Sequence, residues 1–242
     1  MAQAGDRYYK AVTHDELEAA KRGDFNIRLT PTKPIPDEWL PDVANQRILS
    51  LAGGGARQGP LLAAAGAHVT VFDLSERQVE RDRDVAAREN LNLTTTVGDM
   101  RDLSALDSDQ YDLIVSPCAT CFCPSVDPIW PECFRVLKPG GELMIGFINP
   151  LNYLFDAVQL EQGKFVVRHQ IPYSDLNLPE ADRAALTGPE RPLEFGHSLE
   201  SLIGGQLKAG FHLVGFFEDG WAGNDPLTKL IPTFACTRVR KP

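Results

Sequence analysis

The chain has no apolar run approaching the roughly 20 residues that a membrane-spanning helix needs, so no membrane partner is expected. Basic residues are also scarce. There are 24 Lys and Arg against 33 Asp and Glu in 242 residues, a formal net charge of −9. That balance argues against a basic track for phosphate backbones, and no nucleic-acid partner is expected. Cysteine is sparse and odd in number: five residues, four of them between Cys118 and Cys133. This is not the paired framework of a secreted disulfide-bonded domain. The first 25 residues are polar and lack the apolar core of a secretory signal. The expected location is therefore cytoplasmic. Neither a repeat of 20–50 residues nor a low-complexity tract is present. Hydrophobic residues at 43% and charged residues at 24% exclude disordered and fibrous classes.

What is present divides into three textures within a length that suits one α/β domain. Residues 1–45 are polar and end in the Pro-rich run Thr30 to Pro36, expected as a lid segment. Residues 46–149 alternate short apolar runs with helical patterns and are expected to form the ligand-binding core. Residues 150–196 are irregular and rich in Pro and charge. Residues 197–242 hold one helix and two strands.

The core reads as repeated βα units. Arg47 to Leu51 is a short apolar run meeting glycines, as a buried parallel strand does. Helix is expected from Pro60 to Gly66, with Pro in the first turn and Gly66 just past the end. His68 to Phe72, Leu93 to Val97, Tyr111 to Val115 and Glu142 to Ile148 are the next strands. Ser75 starts a helix with Gln78 at the capping-box spacing. Asp127-Pro128 opens another that runs to Leu137, and Lys138 to Gly141 reads as a turn. Thr13 and Glu16 give a second capping box. The charged run Glu76 to Glu89 reads as a solvated helix face with i,i+4 pairs. Alternating strands and helices predict a parallel sheet with right-handed crossovers. Phe211 to Phe217 and Pro232 to Arg238 are joined by a loop too short for a crossover helix, so one of them must run antiparallel.

Polar residues gather at the carboxyl ends of these strands, where ligands sit in open α/β sheets. Leu51 to Gly59 is glycine-rich, which permits close backbone approach and positive φ, and a helix N-terminus follows. Asp73 ends the second strand, 18 residues after Gly55, where a carboxylate can accept both hydroxyls of an adenosine ribose. Gly98-Asp99-Met100 ends the third strand, where the acid can accept from an adenine amino group and Met can lie on the ring. Ser116-Pro117 ends the fourth. The dinucleotide fingerprint G-x-G-x-x-G fails, because Gly53-x-Gly55-x-x reaches Gln58 and the glycine is Gly59; no Walker pattern is present.

These residues resemble the class I S-adenosylmethionine-dependent methyltransferases. The likeness runs from about Arg47 to Ile148. It rests on Ile48 to Gly55 as the glycine motif and Val71-Phe72-Asp73 as the ribose acid. Gly98-Asp99-Met100 is the adenine motif, and Phe134 to Gly141 is the segment before strand five. The glycine loop Leu51 to Gln58, with Ile171 to Asp175 and Phe195 to Leu199, is similar to a bacterial subgroup of small methyltransferases. The resemblance implies a Rossmann-like seven-stranded sheet of order 3-2-1-4-5-7-6 with strand 7 antiparallel, and a substrate cap at 150–196. It implies S-adenosylmethionine as cofactor, with S-adenosylhomocysteine as product. The implied cofactor residues are Ala52, Gly53, Gly54, Gln58, Asp73, Leu74, Gly98, Asp99, Met100, Ser116 and Pro117. Ser50 stands where many members carry an acid, and Ala52 where many carry glycine, so the methionine amino group is expected to meet backbone carbonyls or Gln58.

Methyl transfer from a sulfonium is an in-line displacement that needs alignment and exclusion of water, and a base only if the acceptor must lose a proton. The expected acceptor is a small molecule, methylated on O, N or S. His197, before the last helix, is the candidate base. Tyr173 is a second catalytic candidate, and Tyr173 and Tyr153 are placed as acceptor contacts or as rings that hold the sulfonium by cation–π attraction. Tyr9, Cys121 and Phe122 complete the expected acceptor site. The C-x-x-C-x-C run of Cys118, Cys121 and Cys123 is not a standard zinc spacing, and no metal is expected. His14, His68, His169 and His212 are scattered without ligand spacing and read as structural or exposed. Three alternatives stay open: transfer to tRNA or protein, a non-catalytic S-adenosylmethionine-binding module, and a nucleotide-dependent oxidoreductase. The oligomeric state is not readable.

Overall fold

The structure is a computed structural model, and it describes residues 10–40, 42–180, 182–183 and 192–242. Seven strands form one sheet: β1 (Arg47–Leu51), β2 (His68–Asp73), β3 (Leu93–Val97), β4 (Tyr111–Ser116), β5 (Leu137–Ile148), β8 (His212–Asp219) and β9 (Phe234–Arg240). Their order is β3-β2-β1-β4-β5-β9-β8. Pairing is parallel from β3 through β5, and β9 is antiparallel to both neighbours. This is the expected 3-2-1-4-5-7-6 arrangement. The numbering differs because β6 (Tyr173–Ser174) and β7 (Phe195–Gly196) pair as a separate two-stranded ribbon inside the 150–196 region. Strands of two residues leave no periodicity to read, so that ribbon had no sequence signal.

The central strands β1, β4 and β5 are buried on both faces, as the parallel core of such a sheet must be. Alternate residues of β1 serve opposite sides. Leu49 and Leu51 join Ile114, Ile145 and Phe147 beneath α4 (Ile129–Val136), which contributes Trp130 and Cys133. Ile48 joins Val71, Leu113 and Met144 on the other face, beneath α2 (Gln58–Ala64). On that second face the N-terminal segment covers β5, with Ile27, Leu29, Ile35 and Trp39 in the same apolar cluster. Backbone contact is close enough that a Cβ on Gly146 would lie 1.9 Å from the Leu29 carbonyl oxygen. Asp219, at the end of β8, accepts from the backbone N–H groups of Thr32 (2.8 Å) and Lys33 (2.9 Å) and ties the Pro-rich run down. Ile27, Leu29, Ile35, Trp39 and Val43 thus belong to the core layer, where the sequence reading expects a lid.

Helix α1 (His14–Lys21) has the reciprocal Thr13–Glu16 capping box. It packs against α2 and α3 (Glu76–Glu89) through Leu17, Ala20, Leu61 and Val85. Ser75 caps α3 through Gln78 N–H, and Gly66, at φ +98°, follows the Ala65 C-cap of α2. Two details depart from the sequence reading. The Lys138 to Gly141 turn is a bulge within β5, whose register with β4 jumps between Tyr111 and Leu113. And α3 is not solvated throughout, because Asp82 lies fully buried on the face that carries Val79 and Val85.

Candidate functional site

The glycine-rich turn between β1 and α2, Asp73 at the end of β2, Gly98-Asp99 after β3 and Ser116-Pro117 at the end of β4 share one edge of the sheet. Two carboxylates hold the turn open. Gly54 N–H donates to Asp73 Oδ2 at 2.9 Å, and Ser75 N–H donates to Asp73 Oδ1 at 2.9 Å. Gly55 and Ala56 N–H both donate to Asp82 Oδ2, at 2.8 and 3.1 Å. Asp82 was missed in the sequence. Its signal was there: it stands three residues from both Val79 and Val85, on the apolar face of an otherwise charged helix. Burial pushes its carboxyl up to about 6, against the two N–H donors that favour the charged form, and the neighbouring Asp73 charge adds to the rise.

The turn is a cradle that side chains would fill. A Cβ on Gly53 would stand 2.4 Å from Ser50 Oγ, and one on Gly54 would stand 3.0 Å from Asp73 Oδ2. Ala52 (φ 46°) and Ala56 (φ 63°) adopt the left-handed region, so backbone strain is concentrated here. Ser50 is fully buried, and its Oγ has no hydrogen-bond partner among the described residues. Gly98 is demanded by packing, because a Cβ there would lie 2.3 Å from Phe72 Cζ.

Two expected cofactor residues are placed differently from the sequence reading. Gln58 is buried, and its Nε2 donates to the Arg28 carbonyl at 2.6 Å, so it anchors the N-terminal segment in place of a ligand amine. Met100 is buried in the core with Phe72 and Leu103; the exposed apolar groups at this corner are Leu74 and Val97. Asp99 is paired with Arg101, whose Nε and Nη2 donate to it at 3.0 and 2.5 Å. The guanidinium holds the Asp99 carboxyl below its ordinary value, and sequence reasoning did not single out Arg101.

A second concavity, of about 190 Å³, opens beyond the end of β5. Its walls include Tyr153, His169, Tyr173, Asp175, Glu194 and Trp221. Tyr153 and Tyr173 stack with ring centroids 5.1 Å apart and planes 17° from parallel. Close approach requires glycine at 196, where a Cβ would lie 2.5 Å from Tyr153 Cδ2. Tyr153 Oη donates to Glu194 Oε2 at 3.2 Å, and Tyr173 Oη donates to Asp175 Oδ1 at 2.5 Å. Glu194 N–H donates to Asp175 Oδ2 at 2.8 Å, which links the two acids through the β6–β7 ribbon. Burial, with the Glu194 charge adding to it, pushes the Tyr153 phenol well above its ordinary value, so it stays a donor. Burial pushes the His169 imidazole down, with the Arg168 charge adding to it. His169, read from the sequence as structural or exposed, is part of this wall with its ring edge on Tyr173.

The turn after β4, Thr120–Phe122, lies beside the ribbon. Cys121 is buried, and burial followed by the Glu194 charge raises its thiol far above the usual range, which keeps it protonated and weakly nucleophilic. Phe122 is exposed. His197 does not face the cavity, as the candidate base was expected to do. Its Nε2 donates to the Thr120 carbonyl at 3.1 Å, and burial lowers its pKa, so the ring is neutral and its proton is committed to the turn. Tyr9 lies outside the described residues. Among the described residues, no group of three or more His, Cys, Asp or Glu could hold a metal ion, and no helix is long and apolar enough to cross a membrane.

Comparison with known proteins agrees with this architecture. A family profile described as a methyltransferase domain matches residues 49–145. The "Uncharacterized methyltransferase YbaJ" of Bacillus subtilis is 44% identical over 240 residues, 99% of this chain and 93% of that protein. A ubiquinone biosynthesis O-methyltransferase of Xanthomonas oryzae is 28% identical over 156 residues, 63% of this chain and 65% of that one. Among solved structures, an S-adenosylmethionine-dependent methyltransferase from Mesorhizobium loti superposes with a TM-score of 0.64 at 19% identity, covering 84% of this chain and 94% of its own. The chain belongs to the class I S-adenosylmethionine-dependent methyltransferase family. S-adenosylmethionine is the methyl donor of that family and hence the cofactor here. The glycine cradle and the orphaned Ser50 hydroxyl behind it fit such a ligand.

Proposed function

We propose that this methyltransferase acts on an O, N or S atom of a small-molecule acceptor, with residues 150–196 as the acceptor cap. The observation that carries the reading is the aromatic cavity of about 190 Å³ built by that segment beside the turn after β4. Its size suits a small acceptor better than a macromolecular strand. The Xanthomonas relative named for ubiquinone biosynthesis methylates oxygen by its name, which supports the same class. All five cysteines are free, in keeping with a cytoplasmic enzyme.

Bound S-adenosylmethionine supplies a sulfonium methyl group that is open to in-line displacement. The Gly53–Gly55 turn, kept open by Asp73 and Asp82, would receive the cofactor, with Asp73 as the residue to hold its ribose and Asp99 and Leu74 as those to hold its adenine. Pro117 and Phe122 would complete the site. Tyr153 and Tyr173 position the acceptor and exclude water. His197 acts as a positioning residue that fixes Thr120 to Phe122.

Calorimetric titration with S-adenosylmethionine and S-adenosylhomocysteine, with NAD as control, tests the cofactor assignment. Micromolar binding of the two sulfur nucleosides and none of NAD is expected. Absence of binding by either would overturn the enzymatic reading. Methylation of tRNA or bulk protein at rates above those for small molecules would overturn the acceptor class.

A further inference from the structure

We infer that Arg28, on the N-terminal segment, binds the carboxylate at the methionine end of the cofactor, and that Gln58 positions it; this rests on the proposed placement of the cofactor at the Gly53–Gly55 turn. The inference starts from an unmatched charge. Arg57, Arg101, Arg135 and Arg238 are partly buried, and each is paired with an acid: Glu16, Asp99, Glu132 and Glu142 respectively. Arg28 is partly buried too. Yet among the described residues its guanidinium has neither a hydrogen bond nor an ion pair. A guanidinium drawn partly out of water without an acid calls for an anionic ligand.

The backbone fixes where Arg28 stands. Gln58 is buried at the start of α2, directly behind the glycine turn, and its Nε2 donates to the Arg28 carbonyl at 2.6 Å. One residue on, the Leu29 carbonyl accepts from Cys118 Sγ at 3.3 Å, in the loop that follows Ser116-Pro117. Arg28 is thus held between the two segments that border the turn. Those segments meet closely: a Cβ on Gly53 would lie 2.4 Å from Ser50 Oγ and 3.5 Å from Pro117 Cδ. Ile27 and Leu29 belong to the apolar core on either side of Arg28 in sequence, which leaves the arginine out of that cluster. The turn's own arginine is already committed, because Arg57 donates to Glu16 Oε1 at 3.1 Å and to the Lys10 carbonyl at 3.2 Å.

The cofactor supplies the missing anion. Its methionine end carries a carboxylate beside an ammonium group. The acids at this edge of the sheet, Asp73, Asp82 and Asp99, suit hydroxyl and N–H donors and would repel a carboxylate. A guanidinium offers it two parallel N–H donors, which are stronger than neutral hydrogen bonds and fixed in geometry. Gln58 contributes through Arg28, by tying its backbone to α2.

The test is calorimetric titration of the intact protein with two ligands: S-adenosylhomocysteine, and its decarboxylated analogue, which keeps the amine and lacks only the carboxylate. The wild type should bind S-adenosylhomocysteine at least tenfold tighter than the analogue. Arg28→Gln should weaken S-adenosylhomocysteine at least tenfold and leave the analogue unchanged. Gln58→Leu should shift the two affinities in the same unequal way, which a general loss of structure would not do. Equal binding of the two ligands by the wild type would overturn the inference, whether or not the variants fold. So would an Arg28→Gln protein that binds S-adenosylhomocysteine like the wild type, or one that loses both ligands equally. Failure of the wild type to bind either ligand would instead strike the placement of the cofactor, and the inference with it.

Discussion

Asp82→Asn should make the apo protein more stable relative to wild type as pH rises. The buried carboxyl titrates near 6 in the folded chain against 3.8 as its ordinary value. A raised folded-state pKa means the folded state binds the extra proton. The stability it contributes is full below 3.8 and is lost as pH rises through about 6. At about 1.36 kcal/mol per unit, the whole loss is about 3 kcal/mol, of which about 1.4 kcal/mol falls between roughly pH 5 and pH 8. An asparagine carbonyl can still accept from Gly55 and Ala56 N–H, but it carries no charge to desolvate. Thermal melts of both proteins from pH 5 to pH 8 check this. The difference in Tm should move by roughly 3–6 °C in favour of the variant across that range. A difference that is flat with pH, or one that moves toward wild type, would refute a desolvated acid under the glycine turn. Asp82→Ala, by contrast, leaves two N–H groups without an acceptor and should destabilise at every pH.

Four further outcomes are expected. Asp73→Ala removes the acceptor for Gly54 and Ser75 and the proposed ribose contact. Titration should show cofactor affinity weakened by about 1.5–3 kcal/mol, and unchanged affinity would remove Asp73 from the site. Gly98→Ala places a Cβ 2.3 Å from Phe72 Cζ, so chemical denaturation should find it about 1–3 kcal/mol less stable. His197→Ala should lower kcat, spare cofactor affinity and leave the pH–rate profile between roughly pH 6 and pH 8 unaltered, because the ring is neutral and hydrogen-bonded to Thr120. Disappearance of a limb from that profile would restore His197 as a base. Gly196→Ala drives a methyl into the Tyr153 ring; acceptor KM should rise several-fold while cofactor affinity stays constant, and an unaffected KM would detach the ribbon from the acceptor site.

The sequence by itself determined the sheet and the end of it at which the polar residues gather. Strand–helix alternation is local, and so are the caps at Thr13 and Ser75, because each is set by residues within one turn. The glycine turn and the acids at strand ends could be read for the same reason, since parallel strands bring their carboxyl ends together wherever the helices fall. Tertiary structure alone decided what each polar side chain does. Gln58 and Met100 sit at ligand-binding positions in the pattern, yet one is committed to Arg28 and the other to the core. Asp82 belongs to a charged run, and only packing of α3 against the turn turns it into a buried strut. The aromatic cavity was least legible. It joins Tyr153, Tyr173 and Glu194 across a two-residue ribbon, and contacts so far apart in sequence leave no periodicity to read.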